Sequence, residues 1–250
     1  MDNVHKRLFV ITGGSRGIGA ATALLASQRG WTVVINYRQK KEEALAVVHA
    51  IETTGGRAHA VQFDVGDEED VVAGFKQIDA LGTIGVVVNN AGVTGGRSRV
   101  ESVTAQMIEQ ACSTNIVGSF LVARESVRRM SMNQGGAGGV IVNVSSGAAV
   151  HGAPNTWVHY SATKGAIDTL TVGLAKEVSR EGIRVNAVRP GVIHTDIHEG
   201  RSDQEMATLR AAIPMGRYGS ADEVAEAILW LASPAASYVT GALMDVRGGY

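Results

Sequence analysis

The sequence predicts an α/β fold, a doubly wound parallel sheet of about seven strands with helices on both faces, and three observations carry that prediction. Short runs rich in Val and Ile alternate along the chain with longer amphipathic segments. The runs are continuously apolar, as in Val33-Val34-Ile35 and Val140-Ile141-Val142, which is what strands buried on both faces require. The first run also leads straight into a glycine-rich turn and then a segment rich in Ala and Leu, the arrangement of a strand feeding a crossover helix.

Taken in order, strands are expected at 8–11, 32–36, 58–63, 84–89, 140–144 and 183–188, with a shorter one near 242–244. Helices are expected at 17–30, 40–53, 68–81, 104–130, 156–180 and 221–232. The apolar stretch Leu8–Ile11 follows His5-Lys6-Arg7 but is too short for a secretory signal, so it reads as a strand. Asp67-Glu68-Glu69-Asp70 falls where the third helix should begin; a cap and an acidic first turn complementing the helix dipole account for it better than a metal site does. The Gly-rich stretch from Asn133 to Gly139 fits a surface loop before the fifth strand. No repeat or linker-like shift in composition divides the 250 residues, so one domain spanning 1–250 is expected.

Composition excludes several classes of function. With 23 Lys and Arg against 24 Asp and Glu, a net charge of −1 argues against nucleic-acid binding and against an acidic tail. No apolar run approaches the length of roughly 20 residues that crosses a membrane. A single cysteine, Cys112, cannot form an internal disulfide and has no Cys–His arrangement around it, so a cytoplasmic location is expected.

The turn after the first strand reads Thr12-Gly13-Gly14-Ser15-Arg16-Gly17-Ile18-Gly19. Glycines let the chain turn sharply and bring amides close to a pyrophosphate, while the helix N-terminus adds partial positive charge. The spacing, T-G-x-x-x-G-x-G, is a variant of the dinucleotide fingerprint, and a glycine-rich turn alone would be a weak signal. Three further signatures follow in the same chain: Asn89-Asn90-Ala91-Gly92, Tyr160-Ser161-Ala162-Thr163-Lys164 and Pro190-Gly191. Together, in this order and near these spacings, they resemble the short-chain dehydrogenase/reductase family over essentially the whole chain. That resemblance implies a Rossmann-like sheet in the order 3-2-1-4-5-6-7, reduction of a ketone or aldehyde (or the reverse alcohol oxidation) with a nicotinamide cofactor, and a homotetramer built on the long fourth and fifth helices and the last strand. The tail from Leu243 to Tyr250 is similar to the family's usual ending.

Tyr160 and Lys164, four apart on a predicted helix, share one face. An unperturbed phenol, with a pKa of about 10, exchanges protons poorly near neutrality, and a nearby ammonium lowers it. By itself the pair could be an ordinary amphipathic pairing; the resemblance makes Tyr160 the acid/base and Lys164 its tuning partner and the holder of the nicotinamide ribose. It makes a serine at the end of the fifth strand the group that steadies the substrate oxygen. Ser146 is chosen over Ser145, with an extra residue inferred in the loop around Ala153 to Trp157, because the gap to Tyr160 is one longer than usual in the family. Asn115, locally unfavourable inside a long predicted helix, matches the family's asparagine that holds a proton-relay water.

For the cofactor, the resemblance implies contacts from Gly13, Ser15, Arg16, Gly17, Ile18 and Gly19, from Asp64-Val65 at the adenine, from Asn90-Ala91-Gly92 along its path, and from Tyr160 and Lys164. Pro190, Gly191, Ile193 and Thr195 should hold the nicotinamide amide. NAD-preferring members carry an acid after the second strand. Here Tyr37 stands in that place, followed by Arg38, and two guanidinium groups, Arg16 and Arg38, would bind a 2′-phosphate in charge and geometry. NADP(H) is therefore expected over NAD(H), although either arginine alone could be a solvated surface charge. Asn89 is expected to tie neighbouring strands together.

The segment 194–218 is expected to be a substrate lid. His194 and His198, with Asp196 and Glu199, have spacing that a zinc site could use, but a lid segment does not offer the required helix, and no metal is expected. His159, next to Tyr160, points about 100° away on a helix and is not a base partner. Trp157 and His151 could line the substrate pocket or serve as packing. Two alternatives remain beside a small-molecule carbonyl reductase: a 3-oxoacyl-thioester reductase, for which Arg124, Arg128 and Arg129 could form a docking patch for a carrier protein, and a nucleotide-sensing regulator without turnover, against which the retained Tyr160 and Lys164 argue.

Overall fold

Leu8–Ile11 (β1) is apolar at every position and buried at every position, and it lies inside the sheet with a strand on either side. A computed structural model describes residues 7–194 and 202–250. Six further strands, β2 (Thr32–Tyr37), β3 (Arg57–Gln62), β4 (Ile84–Asn89), β5 (Gly139–Val144), β6 (Ile183–Pro190) and β7 (Leu243–Val246), complete a seven-stranded sheet in the order 3-2-1-4-5-6-7. Every pairing is parallel, from Leu8 opposite Thr32 to Pro190 opposite Val246.

Alternate residues of the central strands feed two cores. Phe9, Ile11, Val33, Ile35, Val86, Val88 and Val142 face α1 (Gly17–Gln28), α2 (Lys41–Thr53) and α9 (Ala221–Ala232). Leu8, Val10, Val34, Val87 and Ile141 face α3 (Glu68–Asp79), α5 (Gly118–Met130) and α7 (Val158–Val178). This is why the central strands read as unbroken apolar runs rather than alternating ones. Edge strand β3, by contrast, is buried at Ala58 and Val61 and exposed at Arg57, His59 and Gln62.

The boundaries differ from expectation in instructive ways. The long helix expected over 104–130 is three pieces: α4 (Ala105–Cys112), a π-helical turn over Ser113–Val117 containing Asn115, and α5. The distortion the asparagine suggested is a wider turn, in which the i→i−4 ladder is interrupted without breaking the rod. Two short helices lie outside the expected set, α6 (Ala148–His151) and α8 (Asp203–Ala212). The acidic run is a cap, with the Asp67 side chain accepting the Asp70 N–H at 2.9 Å. Cys112 closes α4, half-buried. No helix among the described residues is long and apolar enough to cross a membrane.

Candidate active site

Sheet order reverses between β1 and β4, and the crevice at their carboxyl ends is where doubly wound folds bind ligands. Thr12 and Asn90 build its floor. The Thr12 hydroxyl accepts the N–H groups of Asn90 and Ala91, both at 3.0 Å, and the Asn90 amide donates to the carbonyls of Thr12 (2.9 Å) and Gly13 (3.0 Å). Asn36, buried at the end of β2, accepts the Gly13 N–H at 3.2 Å and donates to Phe63 at 2.8 Å, so one side chain ties the turn to β2 and β3. Asn89 does not join strands as expected; its amide donates to Ser119 on α5, because its side chain leaves the plane of the sheet on the helix side. Asn90 is the strand-to-strand tie.

The turn itself is dense. A Cβ at Gly19 would stand 2.5 Å from the Gly13 carbonyl, and Gly13 has φ +62°, a conformation glycine adopts freely. At the start of α1, Arg16 contributes no side-chain cap and the first turn holds no acid. The starts of α3, α8 and α9 are capped by Asp67, Ser202 and Ser220. Uncapped amides beside a close-packed glycine turn fit the pyrophosphate of a nicotinamide dinucleotide.

Of the other residues expected at the cofactor, Tyr37 is buried at the end of β2, and the exposed Arg38 pairs with Asp64 at 3.3 Å. Asp64 also accepts the Gly66 N–H at 2.9 Å, so it shapes the turn before α3 as well. Arg16 is exposed at the mouth of the glycine turn, and Val65 is buried beneath Gly118. Pro190 ends β6 and Gly191 follows it, with the Gly191 N–H on Val246 at 3.0 Å, and Ile193 bridges to Gly219. Thr195, with Asp196, His198 and Glu199, lies outside the described residues, as does that part of the expected lid. The described remainder of that segment contains α8, tied back by an Arg97–Glu205 ion pair of 2.7 Å.

Tyr160, Lys164, Ser146 and Asn115 come together where α7, the end of β5 and the π turn meet. Lys164 is 4 % exposed, its ammonium donating to the Val144 carbonyl at 2.7 Å and lying 5.7 Å from the centre of the Tyr160 ring. Ser146 shares a hydrogen bond with the Tyr160 phenol and accepts the Ala148 N–H at 3.1 Å. Ser145 is buried and donates to the Lys164 carbonyl at 3.2 Å, so its hydroxyl holds the helix while that of Ser146 meets the phenol. Asn115, fully buried, donates to Val93 and Thr163 (2.8 and 2.9 Å) and accepts the Val93 N–H at 2.8 Å. Its backbone carbonyl takes the Ser119 hydroxyl at 2.7 Å. A Cβ at Gly92 would sit 3.4 Å from both Asn115 Oδ1 and Lys164 Nζ, so the glycine stretch after β4 closes against the same group.

Electrostatics here depart from the expectation that Lys164 lowers the phenol. Burial pushes Tyr160 up to about 12, countered by the Ser146 hydrogen bond, and burial pulls Lys164 down to about 8, countered by the charge of Asp168. Desolvation exceeds pairing because both groups are buried and the ammonium is engaged by a neutral carbonyl.

The loop expected to carry an extra residue holds Ala153 and Asn155 at φ +41° and +61°, rare values for residues with a Cβ. Trp157 at its end is buried and packs edge-on against Tyr160 at 6.3 Å, while His151 meets Tyr250 at 5.3 Å. His159 turns away from the phenol toward Gly95. Thr12 opens the glycine motif but the sequence gives its hydroxyl no role, and for Asn36 a polar residue near the end of an apolar strand is the one signal.

The chain matches the family model described as enoyl-(acyl carrier protein) reductase over residues 13–250. It is 50% identical over 242 residues to the uncharacterized oxidoreductase YgfF of Escherichia coli (strain K12), covering 96% of this chain and 98% of that protein. It is 35% identical over 241 residues to the 3-oxoacyl-[acyl-carrier-protein] reductase FabG of Staphylococcus aureus, covering 96% of both. Among solved structures, a 3-ketoacyl-(acyl-carrier-protein) reductase from Brucella melitensis complexed with NADH superposes with a TM-score of 0.90 at 33% identity over 99% of each chain. A blue fluorescent protein from a metagenomic library, in complex with NADPH, gives 0.91 at 32% identity, again over 99% of each.

Proposed function

This chain belongs to the short-chain dehydrogenase/reductase family of oxidoreductases, and from there we propose that it reduces a ketone or aldehyde to the alcohol with NADP(H) in preference to NAD(H). The observation that carries the reading is the meeting of Ser146, Tyr160 and Lys164 at the end of β5, beside the uncapped start of α1 and the glycine turn. A nicotinamide cofactor held by the glycine turn and by Tyr160 and Lys164 would supply the hydride for the carbonyl carbon. Ser146 holds the substrate oxygen, and Tyr160 gives up its phenolic proton to that oxygen as negative charge develops. A phenol raised to about 12 stays protonated near neutrality and so suits the reductive direction. The Lys164 ammonium lies 5.7 Å from the centre of the phenol ring, and it stabilises the phenolate left behind. Asn115 joins the stretch after β4 to α7, and its proposed part in the reaction is to hold the water that relays protons to Lys164.

The preference for NADP(H) rests on Tyr37 where an acid would bind ribose hydroxyls, and on Arg16 and Arg38. The Arg38–Asp64 pair is exposed and long, the kind of contact worth under about 1 kcal/mol, so a 2′-phosphate can draw the guanidinium away. Gly13, Ser15, Gly17, Ile18, Gly19, Val65, Asn90, Ala91, Gly92, Pro190, Gly191, Ile193 and Thr195 complete the proposed cofactor contacts, and the enzyme works as one domain in the cytoplasm, as a homotetramer.

Titration of NADPH and NADH, followed by nicotinamide fluorescence in the wild type and in Arg38→Asp, tests the reading. Tight NADPH binding that weakens at least tenfold in the variant, with turnover of ketones or aldehydes, is expected. Equal binding of NADH removes the arginine argument; binding without turnover of any carbonyl favours the nucleotide-sensing regulator. The relatives' names favour a second substrate class, 3-oxoacyl thioesters. Against a carrier-docking patch stands the pairing of Arg124, Arg128 and Arg129 with Glu68, Glu125 and Asp79.

A further inference from the structure

One turn beyond Lys164 on α7 stands Asp168, four residues on and therefore on the same helix face. Its side chain is 12% exposed. Oδ2 accepts two N–H groups from Arg189, at 3.0 and 2.8 Å, and Oδ1 is buried with no donor. Arg189 is the residue of β6 just before Pro190-Gly191, and it lies 3.9 Å from Asp245 on β7, which in turn holds Arg247 at 2.7 Å. A row of alternating charges thus runs from the buried ammonium across the sheet to the last strand. None of the chemistry assigned above uses Asp168.

The physical problem it addresses is the charge on Lys164. An ammonium carries three N–H donors, and a buried one needs negative or dipolar partners to stay protonated. The groups around it are the neutral phenol of Tyr160 on its own helix, the Val144 carbonyl from β5, Asn115 from the π turn, and Asp168 backed by Arg189 from β6. Among these, Asp168 is the one acid. Resting on the reading of Lys164 as the positive group of the reaction, we propose that Asp168 is a positioning residue: its carboxylate, one oxygen held by Arg189 and the other without a donor, keeps Lys164 protonated, and Arg189 limits how strongly it does so. A carboxylate fully neutralised by Arg189 would leave the amine, one helix turn away, to lose its proton on burial. The half-engaged carboxylate holds the charge and leaves the ammonium available to the phenol.

The two variants should act in opposite directions, which a packing role would not produce. Lysine labelled with 13C at Cε, with Lys164 assigned through Lys164→Arg, reports the protonation midpoint directly in the full chain and needs neither substrate nor cofactor. Asp168→Asn is expected to lower the Lys164 midpoint by about one pH unit, and Arg189→Gln to raise it by a smaller amount. An unchanged midpoint in Asp168→Asn, or a fall in both variants, overturns the proposal. Should Asp168→Asn fail to fold, Arg189→Gln decides by itself: a rise supports the role and no change or a fall removes it. Because the titration is independent of turnover, a shifted midpoint in a chain that reduces no carbonyl leaves Asp168's effect standing and sinks only the proposed reaction. In an active chain, the alkaline limb of the reductive kcat profile in Asp168→Asn should move to lower pH with the midpoint, whereas KM for NADPH measured below that limb stays within about twofold.

Discussion

Tyr160 and Lys164 are each pushed by burial toward the uncharged form, and the cost falls on the folded chain. Replacing Tyr160 with Phe removes the proton donor while keeping the ring that packs against Trp157. We expect turnover to fall by about 10²–10⁴-fold with NADPH binding nearly unchanged, as fluorescence titration beside a rate assay would read. Lys164→Met should make the unliganded protein more stable while abolishing turnover, because a charge whose burial outweighs both its carbonyl partner and the pull of Asp168 is replaced by an apolar chain. The sign follows from the lowered pKa. Between about 8 in the folded state and the ordinary lysine value of 10.5, the unfolded chain binds more protons, so wild-type stability recovers as pH rises. The advantage of Lys164→Met, of the order of 1 kcal/mol, should be full below pH 8 and shrink toward 10.5, as denaturant melts across that range would show.

At the scale of elements, α5 is fastened to α3 by two arginines that also share one carboxylate on α5 itself. Glu125 is 3% exposed and meets Arg124, Arg128 and Arg129, while Arg129 reaches Asp79 at the end of α3 and Arg124 reaches Glu68 at its start. Burial works to raise the Glu125 pKa, yet the Arg129 hydrogen bond and the neighbouring charges hold it below the usual range. A depressed carboxylate contributes stability that is present above its unfolded value, about 4.3, and is lost as pH falls through the folded one. Glu125→Ala, leaving three guanidinium groups around an empty place, should cost about 3 kcal/mol in a urea melt at pH 7. The same substitution should cost less as acid is added; a cost independent of pH would mean the arginines do not depend on this carboxylate. Elements also mark where sequence reasoning stopped short. Ser202-x-x-Glu205 is a capping box that announces α8, as Ser220-x-x-Glu223 does for α9, yet only α9 has a strong apolar face behind the signal. The π turn could be suspected from Asn115, but its register depends on the Val93 and Thr163 contacts, which bring in residues far along the chain.

For the whole molecule, the apolar side chains left in water matter most. Ile108 on α4, Val117 in the π turn and Phe120 on α5 are exposed along one continuous rod, with Phe120 at 52%. Such a patch fits the proposed tetramer, since an interface of standard size buries about 800 Å² per partner around apolar anchors. Light scattering coupled to size exclusion should give a mass of four chains, and Phe120→Glu should reduce it to a smaller assembly with unchanged secondary structure. A wild-type monomer at micromolar concentration would refute the assembly and leave the proposed reaction untouched.

By itself the sequence determined the strands, the crossover helices, the glycine turn and the Tyr160–Lys164 spacing, because each depends on residues adjacent in the chain or on one repeating period. Apolar runs need only be buried, a turn needs only its glycines, and positions four apart on a helix share a face wherever that helix lies. The tertiary structure decided what surrounds those groups. It turned the Ser145 hydroxyl to the Lys164 carbonyl and the Ser146 hydroxyl to the phenol, and it made Asn90 rather than Asn89 the tie between strands. It also set Asp168 and Arg189 against each other across α7 and β6. Protonation followed from the same source, since desolvation is a property of everything packed around a group and is written in no single stretch of the chain.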